Sequence, residues 1–193
     1  MKILIALNHP AHYHLFKNLY NGLKNKKHNV IFVIKDKDIL ENLLIQENID
    51  FIRLVKKRIG KKRYSIITKG LFDLALQDTN LFLFVKKYNP KLMIGTDYSI
   101  THIGKLLKIP SIVFNEDDFE INKLFCFLAY PFCTCIITPS ICKVGRYFNK
   151  RIGYDGYQKL SYLHPSVFKC DRHIIDKYID SNRKYFLIRL VSF

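Results

Sequence analysis

Residues 2–14, KILIALNHPAHYH, contain the clearest indication of the fold class of this chain. Its first part, Lys2–Leu7, is an aliphatic run that ends at the polar residues Asn8-His9-Pro10, which is typical of a strand buried in a parallel sheet. Apolar residues then recur at helical spacing from His12 to Lys26. A buried strand that passes through a short polar loop into a helix is the first half of a β-α-β unit.

The same alternation of short apolar runs and helical segments continues along the chain. Further strands are predicted at Asn29–Ile34, Asp50–Val55, Lys91–Gly95, Pro110–Asn115 and Cys135–Thr138. Helices are predicted around Leu40–Leu44 with Asp36 or Asp38 as N-cap, and at Ser65–Tyr88, Tyr98–Leu107 and Phe119–Tyr130. This alternation predicts an α/β fold with a doubly wound, Rossmann-like parallel sheet. Arg183–Leu190 is also strand-like, and it fits either an edge of this sheet or the first strand of a further domain.

Length and composition describe a globular chain without a membrane span. The 193 residues suffice for one α/β domain but not for two, and the hydrophobic and charged fractions of 49% and 25% exclude a disordered protein. The longest apolar stretch, Leu124–Ile137, is interrupted by Pro131 and is shorter than the roughly 20 residues a membrane helix needs. The run Lys2–Leu7 is too short for a signal peptide. We therefore expect a cytoplasmic protein.

The five cysteines are an odd number and contain no CxxC pair, so we expect reduced thiols in the core rather than disulfides. Two further ligands for a zinc site cannot be found near Cys133 and Cys135. No metal site is predicted.

The net charge of +16 admits three interpretations: nucleic-acid binding, contact with an anionic membrane, or a lysine-rich surface without a ligand. One block concentrates the charge, and it is either a solvated loop or a contact for phosphate or anionic lipid. Its basic residues are Lys56, Lys57, Arg58, Lys61, Lys62 and Arg63.

Ligands of open parallel sheets bind at the carboxyl ends of the strands. Four loops of this chain follow predicted strands there and are therefore candidate ligand-binding loops. The first contains His9, His12 and His14, three histidines within six positions that lead into a helix. The helix N-terminus favours an anion or a neutral imidazole nearby. On a helix His12 and His14 point about 200° apart, which argues against a shared metal ion. We expect His9 or His12 to act in catalysis, beside Asn8 and Pro10, and His14 to pack.

The other three loops add polar groups at the same predicted rim. They contribute Thr96, Asp97 and Ser99, then Glu116 and Asp117 with their neighbours Asn115 and Asp118, and finally Thr138 and Ser140. Thr96, Asp97 and Ser99 either cap the next helix or serve as partners of sugar hydroxyls or as a general base. The carboxylates either begin the following helix favourably or form a functional cluster. Thr138 and Ser140 add hydroxyls near the same edge. No glycine-rich dinucleotide motif, Walker motif or Gly-x-Ser-x-Gly elbow is present, so no cofactor is predicted.

The stretch Asn8–Asn18 resembles the GHPAHVHLFKN opening of an uncharacterised microbial family that is similar to GT-B glycosyltransferases and non-hydrolysing UDP-N-acetylglucosamine 2-epimerases. The resemblance continues through residues 109–114, 136–140, 154–165 and 187–193 and spans nearly the whole chain. Asn8 departs from the pattern, because the family commonly has glycine there.

The resemblance implies two Rossmann-like domains, of which the first holds the acceptor and the second holds the UDP-sugar. Residues 1–170 then form the acceptor-side domain, and residues 171–193 form a linker and the first strand of a second domain that this chain does not complete. The chain is expected to need that domain, or a partner subunit, for activity.

The same resemblance assigns roles to site residues. His9 or His12 matches the base of the transferases, and Asp97 matches a catalytic acid of the epimerases. Glu116 matches a second epimerase acid within one residue, because Asn115 occupies the closest position. Transfer of a sugar to a sugar or lipid-linked acceptor is the leading hypothesis. Epimerase-like activity and nucleic-acid or membrane-surface binding remain the alternatives.

Overall fold

A computed structural model describes residues 1–35, 38–54 and 66–180, together with Lys184, Phe186, Ile188 and Leu190. The basic block at residues 56–63 lies outside the described residues, as does every second residue of the predicted strand at 183–190. Contact of that block with phosphate or lipid therefore stays a prediction, and so does the second-domain assignment of residues 171–193.

Seven parallel strands form one sheet in the order β3-β2-β1-β4-β5-β6-β7, so the predicted α/β class and parallel sheet are confirmed. The strands are β1 (Lys2–Leu7), β2 (Asn29–Ile34), β3 (Phe51–Arg53), β4 (Leu92–Gly95), β5 (Ser111–Phe114), β6 (Cys135–Pro139) and β7 (Arg151–Tyr154). The sequence did not predict β7. Its residues Arg151-Ile152-Gly153-Tyr154 lack an apolar run, because none of the four is fully buried at this edge of the sheet.

Helices fill the connections between the strands. They are α1 (Pro10–Asn25), α2 (Asp38–Gln46), α3 (Ile66–Tyr88), α4 (Ser99–Leu107), α5 (Lys123–Ala129), α6 (Leu160–Leu163) and α7 (Arg172–Asp176), with a 3₁₀ helix at Gly145–Lys150. Helix α1 begins two residues earlier than predicted, because His9 caps it and Pro10 suits its first turn. Helix α5 begins later than predicted, since the Phe119 N–H donates to the Lys143 carbonyl instead of entering a helix.

Strand β1 lies at the centre of the sheet and is buried on both faces. Ile3, Ile5 and Leu7 pack against α1 and α2, whereas Leu4 and Ala6 pack against α3 and α4. This double burial explains why the strand is uniformly aliphatic instead of alternating. Within the described part of the chain, no helix is long and apolar enough to cross a membrane.

The cysteines are free, and three of them are buried as predicted: Cys126, Cys133 and Cys142. Burial raises the pKa of the Cys133 thiol to about 11, so this thiol stays protonated at neutral pH. Cys170 is exposed, whereas we expected the thiols to lie in the core.

Two glycines differ sharply in what surrounds them. Gly95 ends β4 opposite Ala6 of β1, and a Cβ atom there would lie 2.7 Å from the Ala6 carbonyl oxygen. Gly22 lies inside α1, where an added Cβ atom would meet nothing within 4 Å.

We predict that Gly95→Ala lowers the free energy of unfolding by about 2 kcal/mol, because the central strands must move apart. The control Gly22→Ala should raise it by about 0.5–1 kcal/mol through helix propensity. Urea denaturation of both variants measures these changes. Equal effects of the two substitutions would contradict the close approach of β1 and β4.

His102 of α4 joins three helices through its ring. Its Nδ1 lies 2.8 Å from Asp78 Oδ2 of α3, and its Nε2 lies 2.9 Å from the Leu128 carbonyl oxygen of α5. Both partners are acceptors, so both nitrogens must donate, and only the imidazolium form does so. The hydrogen bond to Asp78 raises the pKa of His102 against the opposing effect of burial.

Because the pKa of His102 is raised in the folded state, His102 makes its full contribution to the free energy of unfolding at a pH below about 6.5, its pKa in the unfolded state. That contribution is lost as pH rises through the folded-state pKa, with a slope of at most about 1.4 kcal/mol per pH unit. Urea denaturation across this range should show the loss in the unmodified protein and in the exposed-site control His164→Asn. An identical pH profile for His102→Asn would show that His102 does not carry the effect.

Candidate functional site

The order of the strands reverses between β1 and β4, so the connections from these two strands leave in opposite directions. In sheets of this kind a crevice opens at the carboxyl ends of the strands on either side of the reversal. Asn8 follows β1 and Thr96 follows β4, which places the first and second predicted loops at this crevice.

The side chain of Asp97 lies beneath the crevice and is almost fully buried, at 2% exposure. Its Oδ2 accepts from Asn8 Nδ2 at 2.5 Å and from Gln77 Nε2 at 2.9 Å, and it lies 3.0 Å from Lys35 Nζ. Its Oδ1 accepts from the backbone N–H of Ser99 at 2.6 Å at the start of α4. Four donors from four parts of the chain therefore converge on one carboxylate.

These donors keep Asp97 ionised. Burial alone would raise the pKa of this carboxyl, but the Lys35 ammonium and the hydrogen bonds from Asn8 and Ser99 outweigh it, so the pKa lies below its ordinary value. A buried carboxylate with both oxygens occupied is suited to positioning its neighbours rather than to taking a proton from a substrate. The catalytic role predicted for Asp97 stays a prediction.

The two candidate histidines have different surroundings. His9 is exposed, and its Nδ1 accepts from the Ala11 N–H as the cap of α1, with Pro10 at the first helical position. His12 is half-buried one turn later, with Nδ1 2.7 Å from Thr96 Oγ1 and 3.3 Å from the Asn8 backbone nitrogen. Because a backbone N–H only donates, Nδ1 of His12 carries a lone pair in that bond.

A cavity of about 300 Å³ opens beside His12 and Thr96. It brings together four of the predicted site residues, His12, Thr96, Glu116 and Asp117, from the loops after β1, β4 and β5. The remaining walls are lined by Ala11, Leu15, Phe114, Asn115, Asn122, Phe125, Gln158, Lys159 and Tyr162.

Other predicted site residues do not line this cavity. Asn8 lies beneath it in the Asp97 cluster, and His9 and Pro10 form the start of α1. Ser99 is buried at the first position of α4, and Thr138 is buried within β6. Ser140 is exposed beyond the end of β6. Substrate contacts by these residues stay predictions.

The segment after β7 supplies the wall that the sequence analysis did not anticipate. Lys159 forms an ion pair with Glu116 across the cavity. The Asn18 side chain donates to the Ser161 carbonyl at 2.7 Å and holds α6 against α1. Tyr162 lies 5.6 Å from His14 between ring centroids, which agrees with a packing role for His14. The family resemblance included residues 154–165. Because β7 was not predicted, however, these residues could not be assigned to the carboxyl rim.

Two polar atoms in this segment, on Gln158 and Ser161, have no hydrogen-bond partner among the described residues. Gln158 Nε2 is buried and makes no hydrogen bond to any described residue. A buried donor without an acceptor costs about 1–3 kcal/mol. Nε2 has almost no accessible surface, so a ligand oxygen reaches it only if the Gln158 side chain turns toward the cavity.

A larger cavity of about 420 Å³ lies at the opposite rim, at the amino ends of β4 and β5. Lys86, Lys91 and Lys108 line it together with apolar residues and two prolines, and it contains none of the predicted site residues. It offers neither a histidine nor a carboxylate, so the smaller cavity at the carboxyl rim is the candidate site. The described residues contain no group of three metal-ligating side chains.

No protein-family model and no curated protein matches the sequence. Solved structures do match the fold. Acinetobacter baumannii MurG aligns at a TM-score of 0.58 with 14% identity over 81% of this chain and 45% of that chain. Anabaena Alr3699/HepE in complex with UDP-glucose aligns at 0.56 with 14% identity over 81% and 44% of the two chains. UDP-GlcNAc 2-epimerase from Neisseria meningitidis, bound to UDP-GlcNAc, aligns at 0.51 with 12% identity over 67% and 39%.

These similarities confirm the predicted fold. The chain has the Rossmann-like fold of the amino-terminal domain of GT-B enzymes, and it spans less than half the length of each of these three proteins. At identities of 12–14% the similarity concerns the fold alone.

We predict that Lys35→Met lowers the free energy of unfolding by about 3 kcal/mol, because Asp97 is left as a buried charge without its cation. The matched control is Lys17→Met, which removes a cation from the half-exposed pair with Glu47 and should cost less than about 1 kcal/mol. Urea denaturation at neutral pH measures both. Similar losses would mean that the Asp97 cluster contributes no more than a surface ion pair.

Proposed function

We propose that this chain is the acceptor-binding part of a glycosyltransferase that uses a sugar nucleotide. The observation that carries the proposal is the cavity at the carboxyl rim, where His12 and Thr96 face polar and aromatic side chains. Its volume of about 300 Å³ is at the lower end of the range for small-molecule sites, which suits a monosaccharide unit.

The lining combines the two kinds of surface that a sugar ring needs. Leu15, Phe114, Phe125 and Tyr162 offer apolar faces for the C–H face of a pyranose. Asparagine, glutamine and carboxylate groups on the opposing walls offer partners for hydroxyls. A turn of the Gln158 side chain toward the cavity would give its unpaired Nε2 a sugar oxygen as acceptor.

His12 is proposed as the base, with Thr96 as the contact between base and sugar. The acceptor hydroxyl gives its proton to Thr96 Oγ1 as the Thr96 proton passes to His12 Nδ1, 2.7 Å away. The acceptor oxygen then forms a bond to the anomeric carbon of the donor sugar, and the bond from that carbon to the nucleotide diphosphate breaks. Asn8 and Asp97 act as positioning residues, since Asn8 contacts both Asp97 and the His12 ring.

The sugar nucleotide is proposed to be held mainly by a second unit. This chain aligns with 45% of MurG, and the fold neighbours include structures with bound UDP-GlcNAc and UDP-glucose. A UDP-sugar is accordingly the proposed donor, and the chain by itself is expected to show little or no transfer.

The burial of Asp97 favours transfer over 2-epimerisation, because an epimerase-type mechanism would need this carboxylate to reach the sugar. The proposals of membrane-surface and nucleic-acid contact rest on Lys56–Arg63 and on the net charge, and no described contact adds to them.

The test is a titration of the purified chain with a neutral methyl glycoside, followed by NMR chemical-shift changes. We expect millimolar binding, with shifts at Tyr162, Gln158 and Thr96. Thr96→Val should weaken binding about tenfold, because it removes the hydroxyl but keeps the shape. The control Thr79→Val removes a hydroxyl whose one hydrogen bond among the described residues is to the Ala75 carbonyl in α3, and it should leave binding unchanged.

Absence of binding would contradict the proposal, as would shifts confined to Leu107 and Ile109 at the larger cavity. Rapid sugar transfer by the 193-residue chain would refute its dependence on a second unit.

A further inference from the structure

We infer that the cavity selects an acceptor sugar that is neutral or carries an amino group, and that it discriminates against acidic sugars such as uronates. This inference rests on the proposed function and adds the charge of the acceptor to it. It is based on the charged side chains of the cavity wall, whose net negative charge contrasts with the positive charge of the rest of the protein.

The cavity has an excess of negative charge. Among the residues that line it, Glu116 and Asp117 are carboxylates, and Lys159 is the only cationic side chain that the structure describes there. Lys159 pairs with Glu116, so its charge is already neutralised. No described cation lies within ion-pair distance of Asp117, whose backbone instead forms a tight turn with the Asn115 side chain.

The rest of the molecule has the opposite sign. The chain carries 32 lysines and arginines against 16 aspartates and glutamates. The other cavity, at the amino ends of the strands, is lined by three lysines and by no carboxylate. A carboxyl rim that keeps two carboxylates beside its ligand space is therefore a local departure from the overall charge.

Short distances decide which charge a bound sugar experiences. Exposed charges separated by more than a Debye length of about 8–10 Å are screened, whereas a ligand inside the cavity is in direct reach of Glu116 and Asp117. A uronate would place its carboxylate near Asp117, whose charge no described cation offsets, and like charges at this range repel. An amino group would instead gain a carboxylate partner.

Lys159 shows how a cation is accommodated in this space. Its side chain is 60% exposed, whereas Glu116 is 26% exposed. The ammonium thus reaches the more buried carboxylate from the solvent side. It stays largely hydrated, so leaving the carboxylate again requires little change in its own solvation. A sugar ammonium can take the same place beside Glu116.

The experiment compares three matched ligands with the purified chain at low ionic strength: methyl β-glucoside, methyl β-glucosaminide and methyl β-glucuronide. Dissociation constants come from the same NMR titration. We expect the glucoside and the glucosaminide to bind, and the glucuronide to bind at least about tenfold more weakly than the glucoside.

Charge variants connect the discrimination to the cavity. Asp117→Asn should reduce the ratio of the glucuronide and glucoside dissociation constants to less than about threefold. The control Asp50→Asn makes the same charge change at an exposed residue before β3, at the opposite rim, and should leave the discrimination intact.

The outcomes separate the two proposals. Equal binding of the three sugars, or tighter binding of the glucuronide, overturns the charge selection and leaves the sugar site standing. Loss of discrimination in Asp50→Asn as well as in Asp117→Asn overturns the assignment to the cavity wall. If none of the three sugars binds, the proposed function fails and the charge selection fails with it.

Discussion

The carboxylate of Asp97 is buried between β1, β2, α3 and α4, and it holds these elements at fixed distances from one another. Asn8 reaches it from the end of β1, Lys35 from the end of β2, Gln77 from α3 and the Ser99 N–H from the start of α4. A charge in this position is stable only while its donors stay in place. The geometry of the carboxyl rim follows from that requirement.

The ligand-facing part of the rim is built on this cluster. Asn8 uses its side chain for Asp97 and its backbone N–H for His12, while Thr96 adjoins Asp97 in sequence and contacts the His12 ring. Both contacts are made to Nδ1, so the His12 ring is held with this nitrogen facing Thr96 at the wall of the cavity. A side chain held in this way can accept a proton from one defined direction, which is what transfer to a sugar hydroxyl requires.

Periodicity and loop position predicted most of the fold and part of the site. The aliphatic run Lys2–Leu7 identified the central strand because burial on both faces excludes polar residues there. The rule that ligands bind at the carboxyl ends of strands selected His12, Thr96 and Glu116, which line one cavity. Residue type alone did not distinguish a buried Asp97 from a reactive one, because the difference lies in Lys35 and Gln77, which are distant in sequence.

One wall of the cavity was not predicted from the sequence, and the reason lies in strand β7. Strand β7 is short, contains Gly153 and lies at the edge of the sheet, so its sequence carries no apolar pattern. Without β7 the segment with Gln158, Lys159 and Tyr162 could not be assigned to the rim, although it completes the cavity. Edge strands and the loops that follow them are placed by pairing with the sheet rather than by local pattern.

If the Asp97 cluster shapes a sugar-binding cavity at the carboxyl rim, a crystal of this chain soaked with a neutral methyl glycoside should contain the sugar there. We expect a pyranose ring between Tyr162 and Thr96, with Asp97 still enclosed by Lys35, Asn8 and Gln77. A glycoside bound elsewhere, or an Asp97 side chain turned out of its cluster toward the sugar, would contradict this expectation.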